Sequence, residues 1–212
     1  MISVYQVLLY LHIAAGAIAL VCGVGASMVK QMNWAHHWHQ RFGRSFFYAM
    51  LSIFLTALPL SLISQNLFLL LISLFTFYFA YTGWRYAINR SGKPEPQDWW
   101  VLKAMLAVCV FMLAYGVFLY VHKSDGNGVT LCIFGCIGVI NAWRHYQSFR
   151  SGIFNGKQRI AVHATMMLAG SIATVTAFIV TNFSMNPAWV LWLAPTVAIT
   201  PYIIYWNVKL LK

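Results

Sequence analysis

Seven histidines carry most of the chemical potential of this 212-residue chain, because its only acids, Glu95, Asp98 and Asp125, fall in connections between apolar segments. An imidazole can ligate a transition metal, hold a haem iron or pass protons near neutral pH. His36, His37, His39, His145 and His163 lie at the ends of apolar segments on one side, among Arg41, Arg44, Arg85, Arg144 and Arg159. That grouping supports a site in which His39, His145 and His163 act as ligands of Zn²⁺ or a b-type haem, or as proton carriers. Arg44, Arg85 and Arg144 would then hold an anionic group such as a phosphate or a haem propionate, for which a planar guanidinium fork is suited. The alternative reading of the same residues is interfacial: rings that meet water, lipid phosphate and backbone carbonyls.

His12 stands apart. It lies about 25 Å from the inner end of its segment, whereas His163 lies only about 6 Å in, at ~1.5 Å per residue. A depth difference of roughly 19 Å prevents the two from sharing one iron. Behind His12, Gly16, Ala19, Gly23 and Ser27 follow at helical spacing. The sixth segment carries His163, Met167, Gly170, Thr174, Ala177 and Thr181 in a similar stripe. Small faces let helix backbones approach closely, so His12, Gly16, Thr174 and Thr181 are expected to form an intramembrane polar seam. Such a seam is either a binding cleft or a packing lock in which His12 bonds a neighbouring carbonyl or hydroxyl. Cys132 and Cys136, four apart, share a helix face where a disulfide or soft metal is conceivable, although small apolar filler accounts for them too.

The elements that must position these groups are membrane helices. Hydrophobic residues make up 61% of the chain and charged residues 8%, against roughly a quarter charged in soluble domains. Seven apolar stretches, 3–29, 45–64, 67–88, 99–122, 129–148, 159–183 and 188–209, are each long enough to cross a ~30 Å hydrocarbon core. The expected fold is an all-α integral membrane protein, residues 1–212 forming a single seven-helix transmembrane domain. Every Lys and Arg except Lys123 falls on one side. The positive-inside rule then puts the N-terminus outside and the C-terminus in the cytoplasm of a bacterial inner membrane. The first segment lacks the basic n-region of a signal peptide and is expected to remain as a helix. The +11 charge is thus a topology signal and an attraction to anionic lipid, not a nucleic-acid footprint. Without intramembrane carboxylates, proton pumps, cation-coupled carriers and di-iron carboxylate enzymes lose support.

An internal repeat adds to this. Trp84-Arg85-Tyr86 and Arg90-Ser91-Gly92 recur as Trp143-Arg144-His145-Tyr146 and Arg150-Ser151-Gly152, each followed by a new apolar segment. The repeat predicts inward-dipping hairpins for helices 3–4 and 5–6 in parallel orientation, with helices 1–2 a third and helix 7 unpaired. Pro195 and Pro201 predict a kink in helix 7. Leu11-His12-Ile13 with Gly16, His39-x-x-x-Gly43-Arg44 and the block from His163 to Thr196 resemble a family of predicted bacterial membrane proteins classed as a domain of unknown function. Gln40 stands where that family usually has Arg. The resemblance implies a multi-helix inner-membrane protein with His12, His39, Gly43, Arg44 and His163 at motif positions, and no particular activity. Three functions remain open: a metal-, haem- or anion-binding protein, a small-molecule or ion transporter or channel, and a structural subunit with a homo-oligomeric or membrane-complex partner.

Overall fold

The computed structural model describes residues 3–32, 36–151 and 156–212. Among them are seven α-helices and no strand: α1 (Val4–Gln31), α2 (His36–Ile63), α3 (Leu67–Ile88), α4 (Pro96–Lys123), α5 (Asn127–Ser151), α6 (Gly156–Asn182) and α7 (Trp189–Leu211). The starts follow local chemistry. Ser3 and Gln6 form a reciprocal capping box on α1, and the Asn66 side chain accepts from Leu69 N at the head of α3. Pro96 opens α4, where its missing N–H costs nothing, and Glu95 and Asp98 cap each other's backbone. Six helices are long and apolar enough to cross a membrane; the exception is α5. The chain is therefore a helical, multi-pass membrane protein.

The second helix begins earlier than its hydropathy indicates. His36, His37 and His39 belong to its first turns and not to a connection. Polar residues at a helix end are invisible to an apolar window, although they continue the same backbone hydrogen bonding.

α3 is the central element: half of its apolar span is buried, against 6% for α7. It packs on α2, α4 and α6, while α1 lies on α2, α5 on α4 and α7 on α6. Two cores result. One joins Phe75, Tyr78 and Phe79 of α3 to Met105, Cys109 and Phe134 of α4 and α5. The other joins Ala19 and Cys22 of α1 to Phe46, Ala49 and Met50 of α2, with Ala80 of α3.

This pairing corrects the hairpin scheme read from the repeat. Helix 7 is not unpaired, and α5 closes on α4 across Ser124–Gly126 and not on α6. Glycines decide the matter. A methyl group added at Gly128 would lie 2.8 Å from Tyr120 N, and one at Gly135 would lie 3.0 Å from Leu113 Cδ2. One at Gly138 would strike Cys109 Sγ, with Met105 Cε 2.8 Å away. Those glycines share the α5 face that meets α4, so the two backbones come together where no Cβ intervenes. Cys132 and Cys136 are both free on the same helix.

Replacing Gly138 with Leu should cost about 1–3 kcal/mol, the usual range for overpacking, while Gly16→Ala, with nothing within 4 Å, should be close to neutral. Thermal unfolding of the two variants in detergent compares them directly; equal melting temperatures would refute the glycine-set contact.

Candidate functional site

A cavity of about 2030 Å³ opens between α1, α2, α3, α5, α6 and α7. It exceeds the ~300–1,000 Å³ of ordinary small-molecule pockets. All four seam residues, His12, Gly16, Thr174 and Thr181, line it. The seam itself is only half closed. At Gly23 α1 and α6 meet closely, so that an added methyl would lie 2.8 Å from Ser171 Oγ. At Gly16, two turns nearer the N-terminus, no atom stands within 4 Å. The close helix approach expected along the whole stripe therefore holds at Gly23 and fails at Gly16, where the helices part around the cavity.

α3 and α6 behave in the same way. Gly83 is so close to Met167 that an added methyl would lie 2.8 Å from its sulfur, and Gly170 packs near Ala80 N. Beyond that crossing, Ile72, Thr76 and Phe79 of α3 and Ile172, Ala173 and Ala177 of α6 line the open space. The shaft is mostly aliphatic and aromatic. Two groups of its polar residues stand out. In one, His12 Nδ1 lies 2.9 Å from Thr56 Oγ1, whose hydroxyl donates to Ser52 O at 2.7 Å. With the Thr56 proton so committed, His12 carries its own on Nδ1 and donates it. His12 is thus both a lock between α1 and α2 and a wall of the cavity.

The second group lies toward the end of the bundle where α5 and α7 finish and α6 begins: Asn141, Arg144 and Gln147 on α5, Thr165 on α6 and Asn207 on α7. Thr165 donates to Ala161 O and accepts from Asn207 Nδ2 at 2.8 Å, which ties α6 to α7. Of these, Asn141, Gln147, Thr165 and Asn207 were missed by sequence reasoning. For the two on α5 a signal exists, since α5 alone of the seven helices fails to meet membrane hydropathy; for Thr165 and Asn207 there is none.

The histidines expected to share one ligand divide into two places. His39 and His163 come together, ring centroids 6.4 Å apart and planes nearly perpendicular. His39 Nδ1 donates to Ala26 O of α1 at 3.1 Å and His163 Nδ1 to Gly83 O of α3 at 2.7 Å. His145 does not join them. It is 4% exposed, bonded through Nδ1 to the Tyr78 hydroxyl at 2.6 Å and packed among Tyr86 and Phe149. Among the described residues no group of three or more His, Cys, Asp or Glu converges as metal ligands would, so the three-histidine site is not assembled. Neither His39 nor His163 lines the large cavity. The physical reason is the fold of α5: its glycine face turns toward α4 and carries His145 into the α3–α5 core.

The arginines also disperse. Arg85 is committed to Asp98 through two hydrogen bonds, of 2.7 and 3.0 Å, and to Glu95 at 3.1 Å. Its guanidinium is already neutralised, which leaves it a structural cation and not an anion receptor. Arg44 is exposed on α2. Arg144 alone of the three lines the cavity. Arg159, at the head of α6, donates to the carbonyls of Tyr86 and Ala87 at 2.6 and 3.1 Å and so closes the end of α3.

The fold and cavity thus define a class: a multi-pass helical membrane protein with a large, half-open cavity between its helices. In comparisons with known proteins the chain matches no family model, no curated protein and no solved structure.

Arg85 and Asp98 have side chains only 7% and 4% exposed. Asp98→Leu should therefore cost about 3–5 kcal/mol, the range for stranding one member of a buried ion pair. The double variant Arg85→Met/Asp98→Leu should recover much of it. Denaturant unfolding in detergent provides the comparison, and additive losses in the double variant would contradict the pairing.

Proposed function

We propose that this protein binds a small apolar or amphiphilic molecule in its intramembrane cavity and carries it across or within the bilayer. The observation that supports this reading best is the cavity itself, about 2030 Å³, with His12, Gly16, Thr174 and Thr181 all on its wall. A seam that served only for packing would be closed along its length. Here it closes at Gly23 and opens beyond, and Thr196 and Thr200, between the two prolines of α7, stand on the opposite side.

The topology belongs to the same proposal. α5 has 25 residues, about 37 Å of helix, which is enough to cross, and its polar residues need not meet lipid. Seven crossings, with the cationic connections on the cytoplasmic side of a bacterial inner membrane and the N-terminus outward, is the arrangement that the positive-inside rule supports. The motif positions His12, His39, Gly43, Arg44 and His163 support a relationship to the bacterial family of unknown function.

A second reading rests on His39 and His163. Each ring gives its Nδ1–H to a backbone carbonyl, the second-sphere pattern that fixes metal-binding histidines and leaves Nε2 as the ligand. One Zn²⁺ bound there would complete its shell with water or a substrate group. Metal analysis and an absorption spectrum of purified protein test it: about one metal per chain, lost in His163→Ala, is the supporting result. A metal-free protein with no Soret band removes this reading.

For the cavity, Gly16→Trp and Ala173→Phe should fill the chamber without a backbone clash at position 16. Each should weaken an apolar probe's protection against thermal unfolding by at least tenfold in concentration, with the unliganded melting temperature little changed. His12→Leu should do the same if its ring contacts the guest. Unaltered binding in both filling variants would end the proposal.

A further inference from the structure

We infer that the cavity's guest is an anionic amphiphile, with its acidic head beside Arg144 at the inner end and its tail in the apolar shaft; this rests on the cavity-binding reading above. Charge is the first observation. The lining includes Arg144 and Lys212 and no Asp or Glu. All three carboxylates of the chain are accounted for elsewhere: Glu95 and Asp98 on Arg85, and Asp125 on the backbone N–H of Asn127 at 2.9 Å. Arg144 is exposed on the cavity wall and has no described acidic partner, so an anionic head entering there would meet a cation that no described carboxylate already holds.

Position is the second observation. Arg144 lies seven residues before the end of α5, roughly 10 Å into the helix. It is joined there by neutral donors that suit an oxyanion, the amides of Gln147 and Gln158. Above them the walls are mostly aliphatic and aromatic, with neutral hydroxyls and the His12 ring among them and no further cation. Such a wall suits a guest whose charge sits at one end. A free phosphate would leave the shaft without a partner, and a zwitterionic lipid would bring a second cation to a wall that has no acid to receive it.

The test uses the full chain in a neutral detergent, with thermal unfolding followed against added dioleoyl-phosphatidylglycerol, dioleoyl-phosphatidylcholine or inorganic phosphate. Phosphatidylglycerol should protect at about tenfold lower concentration than phosphatidylcholine, and phosphate should not protect at all. Arg144→Gln should abolish that preference and Arg144→Lys retain most of it. Arg150→Gln, on the same helix but outside the cavity, should leave it intact, which separates the site from general attraction of lipid to a basic surface. Equal protection by the two lipids, or an unchanged preference in Arg144→Gln, overturns the inference while leaving cavity binding in place. Protection by phosphate alone overturns it in favour of a simple anion site. If no lipid protects the wild-type chain, the cavity reading itself fails.

Discussion

The crossing of α6 over α3 at Gly83 sets the shape of this bundle. At that position the absence of a side chain lets Met167 sit against the α3 backbone, and the Gly83 carbonyl takes the His163 proton at 2.7 Å. One turn further, Arg159 takes up the carbonyls of Tyr86 and Ala87. Lipid offers no hydrogen bonds, so carbonyls at the end of a membrane helix must be met by protein or interfacial water. Here α6 supplies the donors. α3 and α6 are thereby pinned around Gly83, and beyond that crossing they diverge along the cavity. The same division recurs between α1 and α6, close at Gly23 and apart at Gly16.

Two kinds of polar residue follow from this arrangement. Some serve cohesion. The Arg85–Asp98 pair joins α3 to the start of α4, Tyr78 bonds His145 across the α3–α5 core, and His12 bonds Thr56 between α1 and α2. Others, among them Arg144, Gln147 and Gln158, stand on the chamber wall. Composition does not separate the two kinds, because an arginine held by a carboxylate and an arginine awaiting an anion are the same letter. The three acids of the chain make the distinction unusually sharp, since two of them are spent on a single guanidinium.

Much of the architecture was legible from apolar run length alone. α3 begins and ends where its hydropathy does, at Leu67 and Ile88, because both ends carry abrupt polar caps. α2 does not, since His36 to Arg44 extend the helix with residues that an apolar window excludes. The seam of His12, Gly16, Thr174 and Thr181 was legible as a face, because helical spacing puts those residues on one stripe. Its opening was not, because whether two small faces touch or part depends on what pins the helices elsewhere. The trio of His39, His145 and His163 was misgrouped for a related reason. Depth along a helix can be counted from the sequence, but azimuth relative to neighbours cannot.

By itself, then, the sequence determined the solvent this protein lives in, the number of its helices, the clustering of its cations and the scarcity of acids to offset them. Those properties are sums over local segments, and each residue contributes in proportion to its own hydropathy or charge. Only the tertiary structure decided which helices pair, that α5 turns its glycines to α4 and its polar face to a chamber, and that His39 meets His163 while His145 is sealed away. Such choices depend on contacts between distant segments, where a missing Cβ at Gly83, Gly128 or Gly138 outweighs any periodicity along the chain.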